Sequence, residues 1–338
     1  MKEHPKVRQV LDAGHNGDLE AFKKSFKELN DSELGIDECV YQKSGDHLLH
    51  VLCAKGRLDL IEFLAQDIGH EPLKELLRRT KNLEAKTLLH EAAQNCQPAV
   101  VSNLLGQGVI VDALKRADWT PLMLACTKPG NLESIKLLCA AGADLSLANK
   151  DGWNSFHLAA REGDVLILKY LVGRSPKTYL TVSKNGRTPL HTAALAGKED
   201  SVRYLLSLDH ERDVKDSCGS TPLMDCARGG WVDLISLFID AGHSLDAVDT
   251  FGRNVFVVTA HAGQHAVLNI LSQDHKMDVN FGDKNGMTAL HWAALEKQDD
   301  SIKALIELGA DTTIVDSKGR SPKQIALDAG HKKTADLF

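Results

Sequence analysis

The chain has 338 residues, of which 43% are hydrophobic and 25% charged, a balance that places it among folded proteins and outside the disordered class. A formal charge of −6 argues against general nucleic-acid binding, and only 5% aromatic residues argues against one large globular core. The seven cysteines are odd in number and never spaced CxxC, so reduced intracellular thiols are expected, with no disulfide frame and no metal site.

Taken in order, the first stretch, "KVRQVLDAGHNGDLEAFKKSFKEL", has no apolar leader and reads as a helix pair with a charged outer face. Residues 1–43 are therefore predicted to cap a stack. No run of eighteen apolar residues follows, so no membrane span is expected. From His47 a pattern sets in. "HLLHVLCAKG" begins there, and "KTLLHEAAQ" has its Thr at 87. Equivalent positions recur at Thr120, Asn154, Thr188, Thr221, Asn254, Thr288 and Ser321, always 33 or 34 residues apart. The first interval, 40 residues, holds "QDIGHEPLKELLRRTKNLEAK" and is expected to lengthen a helix and a loop. A period this regular marks a stack of structural repeats.

The chemistry of each unit is local. In "RTPLHTAALAG" Thr188 suits an N-cap, and Pro189 suits the first helical position, where its missing N–H is harmless. Leu and Ala at spacings of three and four give the helix one apolar face, and Gly197 ends it. A second helix follows, as in "EDSVRYLLSL". An Asp-x-x-Gly turn then leads to the next unit. No unit can bury its own stripe, so stacking must supply the core. These motifs are those of the ankyrin repeat, which the chain resembles over nearly its whole length. The resemblance implies an all-α solenoid of about nine helix-turn-helix units with short hairpin fingers, running from 44 to 338 behind the helical cap as a single array.

His50, His90, His157, His191 and His291 share one position of the motif. Their recurrence predicts imidazoles bonded within and between turns, with Asp151, Glu162 and Asp164 as turn, cap and surface acids. The residue just before each cap is variable: Trp119 and Trp153 in adjacent units, but Lys86, Arg187, Ser220, Arg253, Met287 and Arg320 elsewhere. Two neighbouring tryptophans on hairpins expected to be exposed suggest partner-binding anchors. Three residues before them stand Arg116 and Lys150, and Lys184 and Lys284 repeat the spacing. With Lys115 and Arg187 they predict a basic strip on an otherwise acidic chain. Trp231 and Trp292 fall in helical segments and are expected to pack.

Within the ankyrin class, "KRADWTPLMLACTK", "NKDGWNSFHLAAREGD", "RTPLHTAALAG" and "TPLMDCARGG" are similar to the ankyrin-repeat co-regulators of alanyl-tRNA synthetase. That resemblance implies a monomeric, cofactor-free protein of cytoplasm and nucleus that is not an enzyme. It implies that serine misactivated by the synthetase, as seryl-adenylate, is taken onto the protein's own lysines. Lys150 retains one acceptor position. Arg116 replaces a second, with Lys115 beside it, and the third falls near Leu180, with Lys177 and Lys184 close by. Two other readings remain open: a general scaffold for a different protein, and a metal-assisted hydrolase using His157 and its neighbouring acids.

Overall fold

A computed structural model describes residues 4–32, 34–208 and 210–338, and among them it contains twenty-one α-helices and no extended strand. The chain divides into two compact units, Met1–Thr178 and Tyr179–Phe338. The first holds α1 (Pro5–Asn16), α2 (Leu19–Asn30), α3 (Leu48–Ala54), α4 (Leu58–Ile68), α5 (His70–Arg79), α6 (Leu88–Gln94), α7 (Pro98–Gly106), α8 (Pro121–Ala125), α9 (Leu132–Ala140), α10 (Ser155–Glu162) and α11 (Val165–Arg174). The second holds α12 (Pro189–Leu195), α13 (Glu199–Leu206), α14 (Pro222–Gly229), α15 (Val232–Asp240), α16 (Val255–His261), α17 (His265–Gln273), α18 (Ala289–Leu295), α19 (Asp299–Glu307), α20 (Pro322–Asp328) and α21 (Lys332–Ala335).

Apart from α5, consecutive helices form pairs, and within each unit first helices pack on first helices and second on second. In the first unit α6 lies between α3 and α8 while α7 packs on α9; in the second, α14 lies between α12 and α16. The buried residues are those of the sequence stripe: Leu88, Ala92 and Ala93 on α6, and Leu190, Ala193 and Ala194 on α12. Small residues at the second and third of these positions let the short helices approach closely, which explains how so few aromatics suffice.

The helix starts follow from the capping residues. Thr87, Thr120, Thr188 and Thr221 accept the backbone N–H three residues on through their hydroxyls, and Asn254 does so through its amide oxygen. Losing one such cap costs about 1 kcal/mol. The fingers have an equally local origin. Asp216 Oδ1 accepts from the N–H groups of Cys218 and Ser220, each at 2.9 Å, and Asp249 Oδ1 does the same for Phe251 and Arg253. Such side-chain turns hold the hairpin before any tertiary contact is made.

The recurrent histidine is a latch between repeats. His90 Nδ1 accepts from the Thr87 N–H at 3.2 Å, so the ring proton sits on Nε2, which donates to the Trp119 carbonyl of the next repeat at 3.0 Å. His50 reaches Lys86 O at 2.9 Å, His191 reaches Ser220 O at 3.1 Å, and His291 reaches Arg320 O at 3.0 Å. Burial holds the His90 imidazole down at about 4 and depresses His291 as well. These rings are structural links between repeats.

A second latch was not anticipated. In four repeats the residue before the second helix sends a side-chain N–H back to a carbonyl of the preceding repeat. Gln97 reaches Ala54 at 3.3 Å and Asn131 reaches Ala93 at 2.6 Å in the first unit; Trp231 reaches Leu195 at 3.0 Å and Gln264 reaches Arg228 at 3.2 Å in the second. Trp231 thus stands outside its helix with 41% of its surface exposed, contrary to the packed position expected, though its indole nitrogen is fixed. The long first interval also differs from expectation. Instead of lengthening α4, the chain breaks at Gly69, whose φ of 94° is open to glycine, and starts the separate helix α5.

Candidate functional site

The fingers of the first unit form a ladder through one repeated bond. Leu83 donates its N–H to Ser44 O at 3.3 Å, Arg116 to Glu84 O at 2.7 Å, and Lys150 to Ala117 O at 3.0 Å. In the second unit Ser217, Thr250, Lys284 and Ser317 make the same bond to the finger before them. This position lies three residues before the one that precedes each cap. Its backbone is tied down and its side chain is exposed in every one of these cases. It is the position of Arg116 and Lys150.

The position just before the cap behaves oppositely. Lys86 pairs with Glu91 at 2.6 Å, Arg253 with Asp249 at 2.7 Å, and Arg320 with Asp316 at 2.7 Å. Arg187 is likewise turned inward, paired with the fully buried Asp225 of the next repeat, which Arg228 also contacts at 2.5 Å. Burial lifts the Asp225 carboxyl to about 6 even though both guanidiniums pull the other way. The geometry still marks it as ionised at neutral pH, since two arginines converge on its oxygens. Arg187, expected on the basic strip, has its charge engaged by this carboxylate.

Trp119 and Trp153 occupy that same inward position and are half-buried, not open anchors. The Arg161 guanidinium lies 5.4 Å from the centre of the Trp153 ring, and the fully buried His157 lies 6.0 Å beneath it at an interplanar angle of 29°. Arg161 is itself held by Glu162 at 2.8 Å. The edge of the Trp153 indole is therefore presented on a braced support. Trp119 closes its own hairpin through the Lys115 N–H to Trp119 O bond of 3.1 Å.

The lysines separate clearly. Lys115 is mostly covered and faces Glu84 at 3.6 Å. Lys150 is exposed and forms no ion pair among the described residues. Lys177 is exposed in the turn after α11, with a backbone φ of 99° that is unusual for a side-chain-bearing residue. In the second unit Lys184 is exposed at its finger tip. Beside Lys150 the finger of Trp119 is strained: Ala117 and Asp118 take φ of 66° and 62°, and at the second of these places later fingers use glycine, such as Gly152 at 79°.

His157, the centre of the hydrolase reading, is wholly buried with Nδ1 2.7 Å from Asn154 Oδ1. It cannot meet a substrate in solvent. Among the described residues no group of three or more His, Cys, Asp or Glu is placed to hold a metal ion, and no helix is long and apolar enough to cross a membrane.

This geometry of stacked helix pairs, histidine latches and laddered fingers is an interaction scaffold. The family described as "Ankyrin repeats (3 copies)" matches residues 49–149, 122–216, 156–249, 223–316 and 266–338. The chain belongs to the ankyrin-repeat family. It is 27% identical over 365 aligned residues to the transient receptor potential cation channel subfamily A member 1 of Homo sapiens, covering 95% of this chain and 30% of the channel. The protein of that name from Drosophila melanogaster is 26% identical over 203 residues, 58% of this chain and 16% of its own length. A Notch-regulated ankyrin repeat-containing protein of Xenopus tropicalis is 50% identical over 46 residues, 14% of this chain and 40% of the relative. The chain spans less than half the length of each of these relatives.

Proposed function

We propose that this ankyrin scaffold is a co-regulator of alanyl-tRNA synthetase that binds the enzyme through its finger tips and takes misactivated serine onto lysine. The motifs around Trp119 and Trp153 support the partner. The observation that carries the chemistry is Lys150: exposed, unpaired among the described residues, and set on a finger whose backbone is bonded to its neighbour at 3.0 Å. Lys150 is the leading acceptor. Lys177 and Lys184 are open alternatives, and Lys115 ranks last because Glu84 engages it.

The transfer needs no active site of its own. A lysine Nζ attacks the carbonyl carbon of seryl-adenylate, the C–N bond forms, the C–O bond to phosphate breaks, and AMP leaves as the amine gives up its proton. Positioning in a complex supplies the rate, since well-oriented reactants reach effective molarities of about 10⁵ M or more. The protein is consumed and does not turn over. In this reading α1 and α2 cap one continuous array, and the protein works as a monomer in cytoplasm and nucleus.

The test is mass spectrometry of the chain after incubation with alanyl-tRNA synthetase, serine and ATP, beside a binding measurement. A gain of one seryl group on Lys150, lost in Lys150→Arg, is expected. Binding without any modified lysine would remove the acyl-acceptor role, and absence of binding would leave a scaffold for another protein, a reading supported by the ankyrin-repeat match alone.

A further inference from the structure

The incoming arms of three fingers in the first unit alternate between outward and inward side chains. The exposed positions on either side of Asn82, Lys115 and Asn149 are Lys81 and Leu83, Leu114 and Arg116, and Ala148 and Lys150. The central residues are turned in. Asn82 donates to Asp46 at 2.7 Å, Lys115 faces Glu84 at 3.6 Å, and the Asn149 side chain accepts the Trp153 N–H at 2.9 Å. Successive side chains of an extended arm point to opposite sides, so the six exposed residues share one face. Its leucines are well out in solvent, Leu83 at 75% exposure and Leu114 at 50%.

The composition of this face is one-sided. It holds three cations and no acid, although the chain has 46 acidic residues against 40 basic ones. The equivalent positions in the fingers of the second unit carry no acid either. There two of the lysines are tied down: Lys215 Nζ donates to Val248 O at 2.6 Å, and Lys284 Nζ to Thr250 O at 2.9 Å. In the first unit Lys81, Arg116 and Lys150 have no side-chain bond or ion pair among the described residues. Of the acids at the adjoining turns, Glu84 is engaged by Lys115, Asp118 is half-buried, and Asp151 is exposed beside Lys150.

The geometry points to an extended acidic segment of a partner protein as the occupant of this face. Equivalent tips recur at the spacing of stacked helices, about 8–10 Å. An extended or polyproline-type chain advances about 3.1–3.4 Å per residue, or about 9–10 Å over three. Carboxylates three residues apart therefore meet Arg116 and Lys150 together. An apolar side chain a further three residues along, on the Arg116 side, meets Leu83, and Leu114 adds apolar contact next to Arg116. The face has no aromatic ring on which a base could stack, which favours a peptide over single-stranded nucleic acid. The proposal rests on the finger-tip docking read above but not on seryl transfer. An exposed pair at Lys150 is weak and opens readily, so its amine stays within reach of an acyl donor.

The test is fluorescence anisotropy of the full chain with labelled peptides in a Ser and Pro background. One carries Leu-x-x-Glu-x-x-Glu, one the same order reversed, one Leu-x-Glu-x-Glu, and one Gln in place of Glu. One of the two peptides with three-residue spacing should bind most tightly. An exposed ion pair contributes up to about fivefold, so Arg116→Gln should weaken binding several-fold and R116Q with K150Q by up to about 25-fold. Asp151→Asn should tighten it, a gain that a merely structural role would not produce, while Lys284→Gln in the second unit should leave it unchanged. Circular dichroism melts check that each variant stays folded. Equal affinity for both spacings, an R116Q chain that binds as well as wild type, or tighter binding of an oligothymidylate would each overturn the proposal. Peptide binding by a chain that ignores alanyl-tRNA synthetase would keep this face and remove that enzyme as its partner. A synthetase complex that forms without any peptide binding, and survives R116Q with K150Q, would do the reverse.

Discussion

The histidine latch makes the sharpest energetic prediction, and His90 is its best instance. The ring is completely buried, with Nδ1 accepting from Thr87 and Nε2 donating to Trp119 O. Burial brings it to about 4 from an ordinary 6.5, helped by Lys86, Lys115 and Lys81 and opposed by the Trp119 carbonyl. Because the folded value is depressed, the unfolded chain binds more protons throughout that interval. The stabilisation is complete above about 6.5 and is lost as pH falls toward 4. The loss for this one residue is about 2 kcal/mol at pH 5 and about 3 kcal/mol near pH 4. The perturbation is His90→Gln, which cannot titrate. At pH 7.5 it should be less stable than wild type by about 1–3 kcal/mol, because the Thr87 donors lose their acceptor. In urea unfolding followed by circular dichroism, that gap should shrink by about 2 kcal/mol on going to pH 5. His47, also held near 4 by burial, is present in both chains and cancels. A gap that stays constant across this range would show that His90 is not kept neutral by the fold.

Two substitutions test the packing beside the fingers. Asp225→Ala should cost about 3–5 kcal/mol in urea unfolding, because it leaves Arg187 and Arg228 without their buried carboxylate; an unchanged midpoint would show that the arginines find other partners. Ala117→Gly should raise stability by about 1 kcal/mol by relieving the positive φ of the Trp119 finger, and a loss of stability would mean that the methyl group packs more strongly than its backbone strains.

The repeat was fully legible because its determinants are local: a capping hydroxyl, a proline, an apolar stripe and a turn acid at a fixed spacing. The histidine role was legible for the same reason, since a residue that recurs with the period must do a periodic job. The second latch escaped because its chemistry is not tied to one residue type. Gln97, Asn131, Trp231 and Gln264 share only an N–H that can reach back, so no letter repeats.

The fingers show where reading side-chain variability as freedom goes astray. The position before the cap varies among Lys, Trp, Arg, Ser and Met, yet it points inward and finds a different partner each time: Glu91 for Lys86, Asp225 for Arg187, Asp249 for Arg253, Arg161 over Trp153. Variation there is compensated within the repeat or, for Arg187, by the next one. The outward side chain is the one three residues earlier, whose backbone N–H is spent on the neighbouring finger. A partner therefore meets the side chain of this position, on most fingers beside that of the following residue, on a backbone bonded to its neighbour. A single exposed ion pair at such a tip is worth about 0–1 kcal/mol, too little for a stable complex. Recognition must then add contributions over several fingers at once, and Arg116 and Lys150, consecutive in the first unit, form the shortest run of cations through which that addition can begin.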